Sequence, residues 1–359
     1  MSDDPLLVHE DDPYNAETRT SALVGREITP NEAFYVRNHG PMPRLSSEAR
    51  IRVDGLVERV TEFAAGELAD RFESHEVTAT LQCAGNRRTG FLDVRDIPGE
   101  TPWGPGATGT ARWRGVRLRD VLAAVGVREG ATHVGFTGAD LSDAADPPSE
   151  FGASIPLAKA MSDEVLLAVE MNGEALPLEH GAPVRVVVPG WIGARSVKWL
   201  TRVEVRDAPS DNFFQAVSYR LLPAETDPAD AGPGDGISLG PVALNCDILD
   251  PATGTEVHAG GVTVRGYAYA GGERIVTRVD VSIDGGESWC QAELLGEADP
   301  WTWRLWTCDV TLEPGTTTIL ARAWDDTAAA QPEHAASLWN PKGYANNSWA
   351  RVPVRVRPA

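Results

Sequence analysis

Residues 77–88 read VTATLQCAGNRR and place a cysteine where a predicted strand gives way to a loop. The β-branched run at 77–81 predicts the strand, and Gly85 predicts a turn just after Cys83. Arg87 and Arg88 follow, and a neighbouring cation favours the thiolate, which is the form of cysteine that binds soft metals. A lone cysteine is more often structural, so a role for Cys83 needs support from the rest of the chain.

Three further segments gather groups that bind anions. Residues 34–41 read FYVRNHGP and place Arg37 and His39 on a turn after a short β-run. Residues 180–185 (HGAPVR) and 193–198 (GARSVK) bring histidine, arginine, serine and lysine to loops beside β-rich runs at 165–169 and 184–188. Such donors on neighbouring loops can bind a phosphate together. For each segment alone, a surface turn with incidental charge is the alternative.

The predicted elements divide the chain into two domains. Strands at 34–37 and 51–56 and helices at 61–72 and 118–125 join the runs above into a mixed α+β domain. Residues 223–240 are rich in Pro, Asp, Gly and Ala, which indicates a linker. Beyond it, strands at 262–270, 274–284, 301–310, 316–324 and 349–356 predict an all-β sandwich. We therefore expect an α+β fold, with a first domain at 1–232 and the sandwich at 233–359.

The composition argues against several kinds of partner. A formal net charge of -20 repels nucleic acid and anionic membranes. The chain has no apolar run long enough to span a membrane, and its acidic first residues do not resemble a secretory leader, so we expect a cytoplasmic protein. Lysine occurs only at 159, 198 and 342, and an acidic surface poor in lysine predicts a halophilic protein. An ordinary acidic protein is the alternative. The cysteines are too far apart for a Cys-x-x-Cys motif.

Taken together, the four segments resemble the molybdenum-cofactor domain of the sulfite oxidase family. The resemblance runs from residues 34–39 to Trp339 and Asn340. It implies one molybdenum-molybdopterin cofactor per chain, no haem and no flavin, with Cys83 as the protein ligand of the metal. The residues that it assigns to the pterin and its phosphate are Tyr35, Val36, Arg37, Asn38, His39, Asp140, His180, Arg185, Ser196, Val197 and Lys198.

The resemblance also implies an anion pocket near the metal. The matching residues are Arg37, Arg88, Trp103 and Tyr219. One further position departs from the family, because the usual Trp-Asn-x-Arg-Gly reads Trp339-Asn340-Pro341-Lys342-Gly343 here. Lys342 keeps the positive charge but lacks the planar fork that binds two oxygens of one anion.

The activity implied by the resemblance is oxidation of sulfite to sulfate by oxygen-atom transfer. Electrons would pass to an external acceptor, either dioxygen or a separate redox protein. The C-terminal sandwich would be immunoglobulin-like and would join two chains in a homodimer. Two alternatives stay open: a reductase of nitrate, another oxo-anion or a sulfoxide on the same cofactor, and a catalytically inactive binding protein. Lys342 keeps the first alternative open, whereas Cys83 argues against the second.

Overall fold

Strands predominate over helices in this protein, for which a computed structural model describes residues 4–358. The helices are short: α1 (Thr20–Leu23), α2 (Leu68–Arg71), α3 (Thr89–Leu92), α4 (Leu118–Val125) and α5 (Leu157–Ala160). The strands are β1 (Leu6–Asp11), β2 (Tyr14–Thr18), β3 (Arg50–Gly55), β4 (Thr61–Ala64), β5 (Ser74–Gln82), β6 (Thr108–Arg117), β7 (His133–Ser142), β8 (Ser149–Pro156), β9 (Leu166–Met171), β10 (Glu174–Ala175), β11 (Arg185–Val187), β12 (Leu200–Arg206), β13 (Arg220–Leu221), β14 (Ile237–Ser238), β15 (Asn245–Asp250), β16 (Glu256–His258), β17 (Gly260–Tyr269), β18 (Val276–Ser282), β19 (Cys290–Gln291), β20 (Glu293–Leu294), β21 (Arg304–Leu312), β22 (Gly315–Asp325) and β23 (Ala350–Arg357). Within residues 4–358 no helix has the length and apolar character needed to cross a membrane.

Two five-stranded sheets form the body of the N-terminal part, beside the two-stranded pair β1-β2. One has the order β10-β9-β6-β5 with β11 paired to β9, and the other has the order β4-β3-β12-β7-β8. Strand β12 runs parallel to β3 and antiparallel to β7, so the second sheet is mixed. Helix α4 buries Leu118, Val121, Leu122 and Val125 in the core that both sheets share. The predicted helix at 118–125 is present, and this part is a mixed α+β unit in which sheet predominates.

Two more sheets form the C-terminal part, with the orders β15-β17-β21-β20 and β16-β23-β22-β18-β19. Their facing side chains share one core that includes Cys246, Trp306, Ile319 and Val352. Strand β23 alternates strictly between buried and exposed residues, as expected for a strand with one face on a core. The two-sheet arrangement predicted for this part is therefore present.

Two local predictions are wrong. Residues 61–72 form β4, a 3-10 turn and α2 instead of one helix, because Phe63 and Ala64 pair with β3 and are buried. Residues 34–37 form no strand, since only Val36 pairs, with Ala16, through hydrogen bonds of 3.0 and 2.8 Å. A 3-10 turn at Asn31–Ala33 directly precedes this segment, so extended backbone can begin only at Phe34.

The connection at 223–240 leaves and returns at one place on the surface. Strand β13 precedes it and pairs with β14, which lies near its end, and the Leu239 N–H donates to the Tyr219 carbonyl at 3.0 Å. This ladder fixes Tyr219 beside the start of the C-terminal part.

The loop after Cys83 is held by the C-terminal part. Arg87 forms an ion pair of 2.7 Å with Asp247 of β15. Arg88 donates through Nε to the carbonyl of Lys342 at 3.0 Å. Arg87, Asp247 and Arg88 are buried, and Lys342 is partly exposed. The two parts therefore meet at the cysteine that the sequence singled out.

Candidate active site

Cys83 lies directly after β5, where the strand opens into a loop. Its N–H donates to the Ala107 carbonyl at 2.9 Å, and the Gly85 N–H donates to its Sγ at 3.4 Å. A Cβ at position 85 would lie 2.6 Å from Nη2 of Arg88, so the glycine leaves room for the guanidinium where it lies. The turn thus allows Arg88 to fold back towards the thiol.

The two arginines after Cys83 point in different directions. Arg87 has a φ of 65°, and its side chain faces Asp247. Burial raises the pKa of the Cys83 thiol, and Arg88 and Arg37 offset that rise only in part. The expectation that the pair of arginines keeps this thiol ionised is therefore wrong for the protein by itself. A coordinated metal would favour the thiolate directly.

Cys83 faces a narrow cleft formed by strand ends and loops. The cleft contains roughly 580 Å³ of space between the surrounding atoms, part of which is open to solvent. The cleft is lined by Phe34, Tyr35, Arg37, His39, Leu81, Cys83, Asp140, Phe151, His180, Arg185, Gly193, Ala194, Ser196, Lys198 and Tyr219. The fold thus gathers the segments at 34–41, 180–185 and 193–198 around Cys83.

Three residues predicted to contact the pterin lie behind the cleft. Val36 and Val197 are 2% and 1% exposed and pack in the protein interior. Asn38 donates through Nδ2 to the Tyr14 carbonyl at 2.9 Å, and its Oδ1 accepts a hydrogen bond from Lys198. The side chains of these three residues therefore position the loops and do not face the cleft.

Arg185 and Lys198 form a cationic wall. The buried Arg185 donates to the carbonyls of His180 and Ser196 at 3.0 and 3.1 Å, and burial lowers its pKa to about 10, so it stays charged at neutral pH. Lys198 donates to the Glu179 carbonyl at 2.9 Å, and burial, reinforced by Arg185, lowers its pKa. Within residues 4–358 neither cation forms a salt bridge with a carboxylate. This wall suits an anionic group such as a phosphate.

His180 and Asp140 extend this wall. Burial next to Arg185 lowers the pKa of His180 to about 3, so the ring is neutral, and its Nε2 lies 3.3 Å from the Asn31 carbonyl. Burial raises the pKa of Asp140 to about 6, with Lys198 opposing the rise. Asp140 Oδ1 is buried and finds no hydrogen-bond partner among the described residues. A buried acceptor without a partner is a place where a ligand can donate.

Arg37 offers the most available guanidinium in the cleft. Its Nη1 donates to Asn15 Oδ1 at 3.3 Å and to the Asn38 carbonyl. Its Nε and Nη2 make no hydrogen bond to any residue in the described range 4–358, and the side chain lines the cleft. These two nitrogens can therefore bind an anion that reaches Cys83.

Arg88 is held by protein groups on all three of its nitrogens. Nε donates to the Lys342 carbonyl at 3.0 Å, Nη1 donates to the Thr101 carbonyl at 2.6 Å, and Nη2 forms an ion pair with Glu100 at 3.2 Å. The guanidinium also lies 5.3 Å from the ring centre of Tyr344. Arg88 thus contributes charge close to Cys83 without lining the cleft.

Lys342 and Trp103 also lie outside the cleft lining. Lys342 is partly buried, its Nζ makes no hydrogen bond or ion pair within residues 4–358, and burial lowers its pKa while Glu100 opposes this. Trp103 is 1% exposed and meets the ring of His9 edge-on at 5.0 Å. Because Trp103 belongs to the same apolar cluster as Cys83, it supports the thiol from behind.

Tyr219 follows a π-helical turn at Phe214–Ser218 and lines the cleft. Its hydroxyl is 2.7 Å from Nε2 of His39, and its ring stacks on Tyr344 with 5.5 Å between ring centres. Burial raises the pKa of the Tyr219 phenol, so this group is neutral and able to donate a hydrogen bond.

Sequence reasoning missed two residues beside the anion pocket. Tyr344, which contacts both Arg88 and Tyr219, follows Lys342 by two positions, and that proximity was a usable signal. Glu100 lies in a loop rich in Gly and Pro, and nothing distinguishes it from the other acidic residues, of which the chain has 52. Only the fold shows that it pairs with Arg88.

Comparisons with known proteins agree with this geometry. Residues 39–214 match the family described as oxidoreductase molybdopterin binding domain, and residues 240–357 match the Mo-co oxidoreductase dimerisation domain. Sulfite oxidase of Gallus gallus is 44% identical over 96% of this chain and 77% of its own. Sulfite oxidase of Arabidopsis thaliana is 38% identical over 98% of this chain and 94% of its own. The crystal structure of the sulfane dehydrogenase SoxCD from Paracoccus pantotrophus has a TM-score of 0.81 at 29% identity, over 97% of this chain and 86% of that one.

Proposed function

This chain belongs to the sulfite oxidase family of molybdopterin-dependent oxidoreductases, and we propose on that premise that it oxidises sulfite to sulfate by oxygen-atom transfer. The observation that carries the proposal is the convergence of Cys83, Arg37 and Tyr219 on one cleft. A soft metal ligand there adjoins a free guanidinium and a phenol, which are donors for an oxyanion.

The residues of the cleft fit a molybdenum-pterin cofactor. Arg185 supplies charge for a phosphate, Lys198 adds an N–H donor beside it, and the unpartnered Oδ1 of Asp140 can accept from a heterocyclic N–H. Residues 4–358 contain no cluster of three or more His, Cys, Asp or Glu able to hold a metal. Cys83 would therefore share its metal with ligands that belong to the cofactor. When bound, this group supplies the transferable oxygen and accepts two electrons.

Arg37, Tyr219 and Lys342 would bind and orient the anion. Sulfite carries its negative charge on three oxygens and a lone pair on sulfur. Donors that grip the oxygens leave the sulfur free to face the metal side of the cleft, near Cys83. A protein of net charge -20 repels an anion at long range, so these cations must act locally. Arg88 adds charge from behind the cleft.

The electrons would leave to an external acceptor, which we propose to be dioxygen or a separate redox protein. Each turnover releases two electrons, and the acceptor has to regenerate the oxidised site. A protein acceptor would need a basic surface to approach this acidic chain productively.

The C-terminal part is proposed to be an immunoglobulin-like sandwich that joins two chains in a homodimer. The match of residues 240–357 to a dimerisation family supports this, as do the two sheets around one core. The proposed domain boundary at 232/233 lies in the surface connection between β13 and β14. Light scattering coupled to size exclusion tests the proposal, and a mass near 38.5 kDa would show a monomer and contradict it.

The decisive experiment is a substrate assay on protein purified from a strain that makes the cofactor. We expect molybdenum to be present and sulfite to reduce an added electron acceptor. Turnover of nitrate or a sulfoxide without turnover of sulfite would overturn the substrate assignment. Absence of molybdenum under these conditions would favour a catalytically inactive protein.

A further inference from the structure

We propose that Glu100 limits the affinity of the anion pocket by competing with bound oxyanions for Arg88. The proposal rests on the proposed function for the identity of the anion, which is sulfite as substrate and sulfate as product. Glu100 would thus set the affinity of the anion pocket without itself taking part in oxygen transfer.

The geometry places the carboxylate on the one edge of Arg88 that other groups leave open. Glu100 Oε2 lies 3.2 Å from Nη2, while the carbonyls of Thr101 and Lys342 occupy Nη1 and Nε. Those carbonyls belong to the backbone and cannot move far. Arg88 lies behind the cleft lining, so an anion that engages it must extend past the lining residues and then displace the Glu100 carboxylate or share Nη2 with it.

The burial of the two partners shows which of them can move. The Arg88 side chain is 2% exposed, whereas that of Glu100 is 23% exposed. A Cβ on Gly343 would lie 2.6 Å from Arg88 Cγ, so the backbone itself confines the arginine stem. Glu100 has no second hydrogen-bond partner within residues 4–358. Arg88 is thus fixed, and the carboxylate can swing towards solvent.

The charge of Glu100 reaches beyond Arg88. It opposes the lowering of the Lys342 pKa and adds to the rise in the pKa of Tyr219. Both groups are proposed to contact the anion. A negative charge felt at each of these donors weakens the binding of an oxyanion even where the carboxylate does not block it.

This arrangement would matter most for product release. Sulfate has one more oxygen than sulfite and the same charge of two when fully ionised, so a pocket that binds sulfite tightly would also retain sulfate. A carboxylate that returns to Arg88 would help to expel the product. Arg88 can then stay charged close to Cys83 without holding the product sulfate too tightly.

The test is the Glu100→Gln variant of the molybdenum-loaded enzyme, which keeps the shape of the side chain and removes its charge. Glu129→Gln, at an exposed position of the same domain, is the control for the change in net charge. One unit charge acting on a dianion over roughly 6 Å, through an effective dielectric constant of about 80 for this partly exposed carboxylate, changes an affinity about tenfold. We therefore expect the KM for sulfite and the Kd for sulfate, measured by calorimetry, to fall roughly tenfold in Glu100→Gln, with kcat kept within about twofold.

Two outcomes would overturn the proposal. These are unchanged or weaker sulfate binding by folded Glu100→Gln, or an equal effect in Glu129→Gln. The calorimetric arm does not need turnover. If the wild-type enzyme fails to oxidise sulfite, the proposed function fails, whereas the sulfate titrations of the two variants still decide the role of Glu100.

Discussion

The hydroxyl of Tyr219 lies 2.7 Å from Nε2 of His39 in the wall of the cleft. The His39 ring stacks on Phe151 at 4.5 Å and meets Phe214 at 4.7 Å, so aromatic rings hold it in place. Burial, reinforced by Arg37, lowers the pKa of His39 well below its usual value, and the ring is neutral with a single N–H. His39 therefore orients Tyr219, the tyrosine proposed to bind the anion, in addition to its expected role in binding the pterin.

The first prediction concerns the proton between these two residues. With the N–H on Nε2, His39 donates to the Tyr219 oxygen and leaves the phenol proton for an anion. We expect Tyr219→Phe and His39→Gln each to lower kcat/KM by about tenfold to a hundredfold. The double variant should be little worse than Tyr219→Phe alone, because the His39 N–H acts through the phenol that this variant removes. Additive losses would show that the two residues act independently.

Molybdenum content separates the two roles of His39. If His39 mainly orients Tyr219, His39→Gln keeps the wild-type metal content while it loses turnover. If His39 mainly holds the pterin, the same variant loses molybdenum, whereas Tyr219→Phe does not.

The positions of residues that belong to a local sequence motif were predictable. The positions of residues that depend on the tertiary fold were not. The sequence located Cys83 after a strand, and the fold confirms that position. The family resemblance assigned only Arg88 to the anion pocket. The local sequence does not separate it from Arg87, because the positive φ that turns the Arg87 side chain towards Asp247 has no signature in a pair of identical residues.

The prediction of a helix at 61–72 was wrong for a related reason. Its apolar spacing fits a helix, yet Phe63 fits equally well beside Ile51 on a sheet, and the tertiary pairing with β3 decides. Nothing in the sequence indicated a role for Glu100, because that role depends on its contact with Arg88, twelve residues earlier in the chain. Patterns within a segment do not encode such contacts.

The second prediction concerns the lysine that departs from the family motif. A guanidinium can bind two oxygens of one anion, whereas an ammonium binds as a point charge. We expect Lys342→Arg to lower the KM for sulfite by roughly threefold to tenfold with little change in kcat, and Lys342→Gln to raise it. Steady-state kinetics measure both. If neither variant alters KM, Lys342 does not contact the substrate.

The third prediction concerns the metal ligand. Cys83→Ser replaces a soft sulfur donor by a harder oxygen of similar size, so we expect a folded protein with turnover lowered by more than about a hundredfold. Cys290→Ser, which changes an exposed cysteine, is the matched control and should keep its activity. Circular dichroism checks the fold. Activity near the wild-type value in Cys83→Ser would rule out this thiol as the ligand.

The last prediction concerns acid stability. The pKa of His180 is about 3 in the folded protein, below the unfolded value of about 6.5, so the unfolded state binds more protons between these limits. The stability from a neutral His180 is therefore complete above pH 6.5 and is lost as the pH falls towards 3, with a slope of at most about 1.4 kcal/mol per pH unit. His180→Gln cannot take up this proton, so its free energy of unfolding in urea should decline less steeply over the same range. His258→Gln, at an exposed position, should follow the wild type. Equal slopes for His180→Gln and the wild type would mean that the ring is already protonated in the folded protein.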